Sequence, residues 1–103
     1  MFTYTADQLK DWKKKYGDDS VFEVVAEDKK AILHKPTRKE LSYARAGSQQ
    51  GQGRDIIKFC ELLLKQCWID GDMEIQENDI YFFGVMPILE SMIESKEAEI
   101  KKL

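Results

Sequence analysis

The sequence predicts an α+β fold: an N-terminal helix, a β-hairpin over about residues 21–35, and three further helices, the middle one long and central (about 55–69) and the last kinked. Three observations predict it. In residues 55–69, Ile56, Phe59, Cys60, Leu63, Leu64, Cys67 and Trp68 recur at three- and four-residue spacing, and Ile57 and Leu62 widen the stripe, so this helix needs cover on more than one side. Val21–Ala26 and residues 31–35 are rich in β-branched and apolar side chains and flank the charged residues 27–30, the pattern of two strands and a turn. Ile80 onward is apolar again, with Leu89, Met92 and Ile93 at helical spacing, and Gly84 and Pro87 mark a kink or break.

Taken in order, Thr5 and Gln8 form a capping box, in which each side chain satisfies a backbone N–H of the other, and Leu9, Trp12 and Tyr16 share one face of the helix that follows. That face is narrow, so residues 1–18 are expected to be a peripheral docking helix, held by the chain's own domain or by a partner. The hairpin is unstable alone in water. Its apolar face must lie on helices, or its edge must accept a strand from elsewhere. Pro36 ends the second strand, and a second capping box, Thr37 with Glu40, starts a short helix that Gly47 stops. Residues 47–53, rich in Gly and Gln, read as a flexible loop. Asp55 favours the positive end of the central helix, Asp70 and Gly71 signal a turn, and Asn78 or Asp79 is the cap of the next helix. Residues 94–103 read as a fraying helical tail or a partner-facing extension, in which Glu97 and Lys101 pair one turn apart.

The 103 residues make one domain with a single modest core. Residues 54–103 hold eleven Asp/Glu against six Lys/Arg, and Lys13, Lys14 and Lys15 are the only basic run, so nucleic acid is not an expected partner. No stretch of about 18 apolar residues exists to span a membrane, and the first residues lack a signal-peptide layout, which places the expected location in the cytoplasm. On a continuous helix Cys60 and Cys67 stand about 10.5 Å apart along the axis, beyond disulfide reach, and both read as small buried hydrophobes. His34 has no nucleophile or second ligand near it in sequence and reads as a structural residue at a strand end.

The acidic run fails as a calcium loop. Asp70, Asp72 and Glu74 fit the first, third and fifth positions, but Ile75 stands where glycine is required and Tyr81 where the bidentate glutamate belongs. The glycine loop fails as a phosphate cradle: Gly47 and Gly51 are one residue too close, and Gly53 is followed by Arg54 and Asp55. The residues therefore assign no catalytic, cofactor or metal site, and a non-enzyme is expected. Tyr81, Phe82 and Phe83 are three consecutive aromatics about 100° apart on a helix, so either two faces are covered or one ring is exposed.

The strings FEVVAEDK at 22–29, KPTR at 35–38 with Tyr43 and Ala44, ELLLKQCWIDGD at 61–72 and residues 90–103 together resemble the small tail assembly chaperones of tailed phages and prophages, over residues 21–103. The resemblance implies a non-enzymatic role in the cytoplasm of the bacterial host. It implies that the chain binds the long helical tape-measure protein, or another tail protein, while the tail tube assembles. On that reading Tyr43, Trp68, Tyr81, Phe82 and Phe83 supply apolar contact, with Arg38 on the rim. Two other classes stand beside it: a structural tail component or adaptor that forms a homo-oligomer, and a small metal-dependent regulator built on His34 and the acidic run.

Overall fold

The computed structural model describes residues 1–93 and 97–103. Its architecture is α+β, with the elements in the order α1 Ala6–Tyr16, β1 Val21–Ala26, β2 Lys29–His34, α2 Arg38–Gly47, β3 Gln49–Gln50, β4 Gly53–Arg54, α3 Ile56–Cys67, β5 Trp68–Gly71, α4 Glu74–Glu77 and α5 Asp79–Ser91. The main sheet is antiparallel throughout in the order β1-β2-β5. Val24 lies opposite Ala31 and Leu33 opposite Trp68, and a register irregularity falls between Ile32 and Leu33.

Ala31, Ile32, Leu33 and His34 are all buried, because β2 is the middle strand and is covered on both faces. Side chains alternate across a strand. Ala31 and Leu33 therefore join Val24 in the main core, where they meet Phe59, Leu63 and Leu64 of α3, Ile75 of α4 and Phe82, Val85 and Leu89 of α5. Burying each Val, Leu, Ile or Phe side chain among them contributes about 1.5–3 kcal/mol. The opposite face receives α1 and the segment before it. The Tyr16 ring stacks on His34 with centroids 4.5 Å apart, Trp12 leans on Tyr4 at 5.5 Å, and the Tyr4 hydroxyl donates to Glu23. The docking surface for α1 is thus this chain's own sheet, although no α1 residue is fully buried.

Both capping boxes form. The Thr5 Oγ1 accepts from the Gln8 N–H at 3.1 Å while Gln8 Oε1 accepts from the Thr5 N–H at 2.8 Å, and Thr37 and Glu40 repeat the exchange at 3.2 and 2.8 Å. Asp55 caps α3 by accepting from the N–H groups of Ile57 and Lys58, and Asn78 caps α5 by accepting from Ile80.

Five expectations need correction. The central helix ends at Cys67, and Trp68 and Ile69 belong to β5, the strand that the hairpin edge accepts. Residues 47–53 are not a loose loop. Gln49 pairs with Arg54 and Gln50 with Gly53, and Gly51 at φ 57° takes the first of the two turn positions between them. Asp70 and Gly71 make no turn but close β5, and the acidic run after them carries the one-turn helix α4. Helix α5 is continuous through Gly84 and Pro87, so of the kink or break expected there the break does not occur. Residues 97–103 hold no helix, so Glu97 and Lys101 are not one helical turn apart, and the expectation for 94–96 lies outside the described residues. No helix among the described residues is long and apolar enough to cross a membrane.

Candidate interaction surface

Between Asp79 and Glu90 lie ten residues of α5 without a charge, and Tyr81 alone among them carries a polar group. Three- and four-residue spacing divides them into two faces. Phe82, Val85 and Leu89 point into the core, whereas Ile80, Phe83, Gly84, Pro87 and Ile88 face outward, with Ile80 82% and Phe83 54% exposed. A helix that is apolar all round is ordinarily enclosed on all sides. This one is enclosed on a single side.

Two grooves flank the outward face. One, of about 520 Å³, runs between α3 and α5 over Ile57, Met73, Phe82 and Phe83, with Glu77 and Asp79 on its rim. The other, of about 390 Å³, separates α5 from the end of β1 and is lined by Val25, Ala26, Ile80, Tyr81 and Gly84. The N-terminal end of α5 is anchored to the β1–β2 turn. The Tyr81 hydroxyl donates to Asp28 Oδ1 at 2.9 Å, which raises the Tyr81 pKa and lowers that of Asp28, and Lys29 beside it pairs with Glu74 of α4 at 3.3 Å. The face is therefore held by polar ties outside it, and none of those ties covers it.

A separate concavity, of about 950 Å³, opens where α1, β2 and α2 meet, and Tyr16, His34, Glu40, Tyr43 and Trp68 are among its walls. His34 is buried. Its Nδ1 lies 2.9 Å from the Lys35 carbonyl oxygen, to which it donates, and its Nε2 faces Glu40 Oε2 at 3.6 Å. The other Glu40 oxygen accepts from the Thr37 N–H, so the imidazole and the capping carboxylate hold the β2–α2 corner together. Burial, with the Glu40 charge adding to it, pushes the Cys67 thiol up to about 12, and burial likewise raises Cys60; both stay protonated near neutral pH. Among the described residues no three His, Cys, Asp or Glu side chains are grouped to hold a metal. In the acidic run, Asp72 Oδ2 accepts from the N–H groups of Phe2 and Lys30, both at 2.9 Å, and ties the amino-terminal segment to the hairpin.

The six residues expected at one binding site do not converge. Tyr43 and Trp68 line the His34 concavity, and Arg38 is exposed on the first turn of α2. Tyr81 is spent on Asp28, and Phe82 is a core residue at 6% exposure. Phe83 alone stands exposed on the outward face of α5. Of the three successive aromatics, one ring is thus exposed. Ile57, Met73, Ile80, Gly84 and Ile88 were not expected there. The signal that marks them is the missing polar face between Asp79 and Glu90, not any aromatic motif.

No family model matches the chain, and no curated protein or solved structure matches it.

Proposed function

We propose that this chain is a non-enzymatic binding module whose outward α5 face takes an apolar helical segment of a partner protein. The observation that carries the reading is Ile80 at 82% exposure and Phe83 at 54% on a helix with no polar side. A groove on either side of an apolar ridge suits a helix that lays its apolar face along α5 and inserts side chains to left and right. The acidic rim formed by Glu77 and Asp79 favours Lys or Arg beside the partner's apolar stripe. The resemblance to tail assembly chaperones names a partner of this kind, the long helical tape-measure protein, with binding in the cytoplasm of the bacterial host during tail assembly.

The test is co-expression with the tape-measure protein that this reading places in a neighbouring gene, followed by pull-down and measurement of that protein's soluble fraction. Ile80→Lys with Phe83→Glu is expected to abolish both the complex and the gain in solubility. Tyr43→Ala with Trp68→Ala, in the His34 concavity, is expected to leave both intact. A complex that survives the α5 changes would overturn the assignment of this face, and no complex with the unaltered chain would overturn the partner.

A further inference from the structure

The outward face of α5 has an internal symmetry. Ile80 and Ile88 stand four residues before and four residues after Gly84, on one stripe, at 82% and 37% exposure. A β-carbon placed on Gly84 would meet nothing within 4 Å, so the backbone is bare and open at the middle of the stripe. In a two-fold pairing the same patch serves both copies, and each residue meets its counterpart in reversed order. An antiparallel pair of α5 helices crossing at Gly84 would place Ile80 of each copy on Ile88 of the other. The two bare backbones would meet at the axis, where helices without intervening side chains approach closely.

We infer that the occupant of this face in the isolated protein is the same face of a second copy, the two α5 helices lying antiparallel about a two-fold axis at Gly84. The available area fits. Ile57, Met73, Ile80, Phe83, Ile88 and Ile93 are each between 37% and 82% exposed around this helix. Side chains of this size present on the order of 600 Å² per copy, against roughly 800 Å² per partner for a standard stable interface, and Gly84, Pro87 and the rim supply more. The antiparallel arrangement also sets each helix N-terminus beside the other's C-terminus, which favours the pair electrostatically. Asp79 and Glu90 lie at the solvated ends, where like charges meet, so salt strengthens this association. A partner drawn in by Lys and Arg would respond to salt in the opposite sense.

The inference rests on the reading of this face as a docking surface and not on the identity of the partner. Its consequence is that a partner helix must displace the second copy before it binds.

Sedimentation velocity over a range of concentrations tests it. The unaltered chain is expected to double its mass from 12.0 kDa as concentration rises. Ile80→Lys alone and Ile88→Glu alone are expected to weaken association at least about tenfold, because each buries an unpaired charge against an isoleucine. The two changes in one chain are expected to restore it, since the ammonium introduced in each copy would then meet the carboxylate introduced in the other. Within one chain positions 80 and 88 are about 12 Å apart along the axis, too far to pair. Gly84→Leu is a second probe: its β-carbon meets nothing within 4 Å in the single chain, circular dichroism will check that the fold is kept, and the change is expected to abolish the dimer. A chain that stays at 12.0 kDa up to millimolar concentration overturns the inference, as does a double variant no better than the singles. If the unaltered chain is monomeric and still captures the tape-measure protein, this inference alone falls.

Discussion

Gly71 lies directly against Ala31: a β-carbon on Gly71 would stand 2.5 Å from the Ala31 α-carbon and 2.7 Å from the Lys30 carbonyl oxygen. Both obstacles are backbone, so neither can rotate away. Gly71 also sits at φ 147°, a conformation that residues with a side chain rarely adopt. Gly71→Ala is therefore expected to destabilise the chain by about 3 kcal/mol, through overpacking and backbone strain together. Urea denaturation followed by tryptophan fluorescence measures it, and a loss under about 1 kcal/mol would mean that β5 is not seated on β2 as described.

Glu27 offers the opposite case. It is the only non-glycine residue at positive φ, 55°, among the described residues, and it forms the tight β1–β2 turn with Asp28. A left-handed conformation costs a residue with a β-carbon about 1–2 kcal/mol, part of which glycine returns as unfolded-chain entropy. Glu27→Gly is expected to raise stability by about 0.5–1 kcal/mol, read as a higher urea midpoint at unchanged slope.

Asp72 gives the acid side of the pH profile. The N–H of Phe2 and then that of Lys30 hold its carboxyl below the usual carboxylate range. Its contribution to folding is therefore present above the ordinary value of about 3.9 and is lost as pH falls through the lower folded value. Asp72→Asn is expected to be less stable than the unaltered chain at neutral pH. That difference should shrink as pH falls below the usual carboxylate range, as urea midpoints at neutral and at acid pH would record.

The thiols give the alkaline side. Burial holds the Cys67 thiol at about 12, above an unfolded value of about 8.5. The corresponding stability is intact below about pH 8.5 and is lost as pH rises toward about 12. At about pH 8 an aromatic disulfide reagent is expected to find neither Cys60 nor Cys67 in the folded chain and both after unfolding in urea. Prompt reaction of either thiol without denaturant would contradict the buried cysteines of α3.

Local chemistry made much of this fold legible. The Thr5 and Thr37 capping boxes, the Asn78 cap, β1 and the apolar stripe of α3 all follow from interactions within a few residues, and each stands where its side chains place it. What could not be read locally was decided at a distance. Trp68 and Ile69 continue the helical spacing of α3, yet β2, thirty-five residues earlier than Trp68 at Leu33, draws them into a strand. Gln50 and Gly53 carry too little apolar character to mark a strand, and their hairpin rests on backbone pairing and on Gly51. The interaction surface was sought in aromatic rings. Rings such as Phe82 pack inward as readily as outward, and the outward face is mostly isoleucine. Gly84 and Pro87 read as a kink or a break, and the break does not occur, because a helix tolerates the loss of one backbone bond when its Phe82, Val85 and Leu89 side is anchored in a core.

Helix α3 passes into β5 with no residue between them, Cys67 closing one and Trp68 opening the other. The helix thereby acts as a ruler for the sheet. One residue inserted within α3 would turn everything after it by about 100° and slide β5 one position along β2, exchanging the sides on which Trp68 and Ile69 emerge. Seven residues inserted there would restore the angle but overshoot the strand by about 10.5 Å. The same insertions between Gly51 and Gln52, at a solvent-exposed hairpin tip, meet no such constraint. Length in this chain is free to vary at that tip and closed to variation along α3.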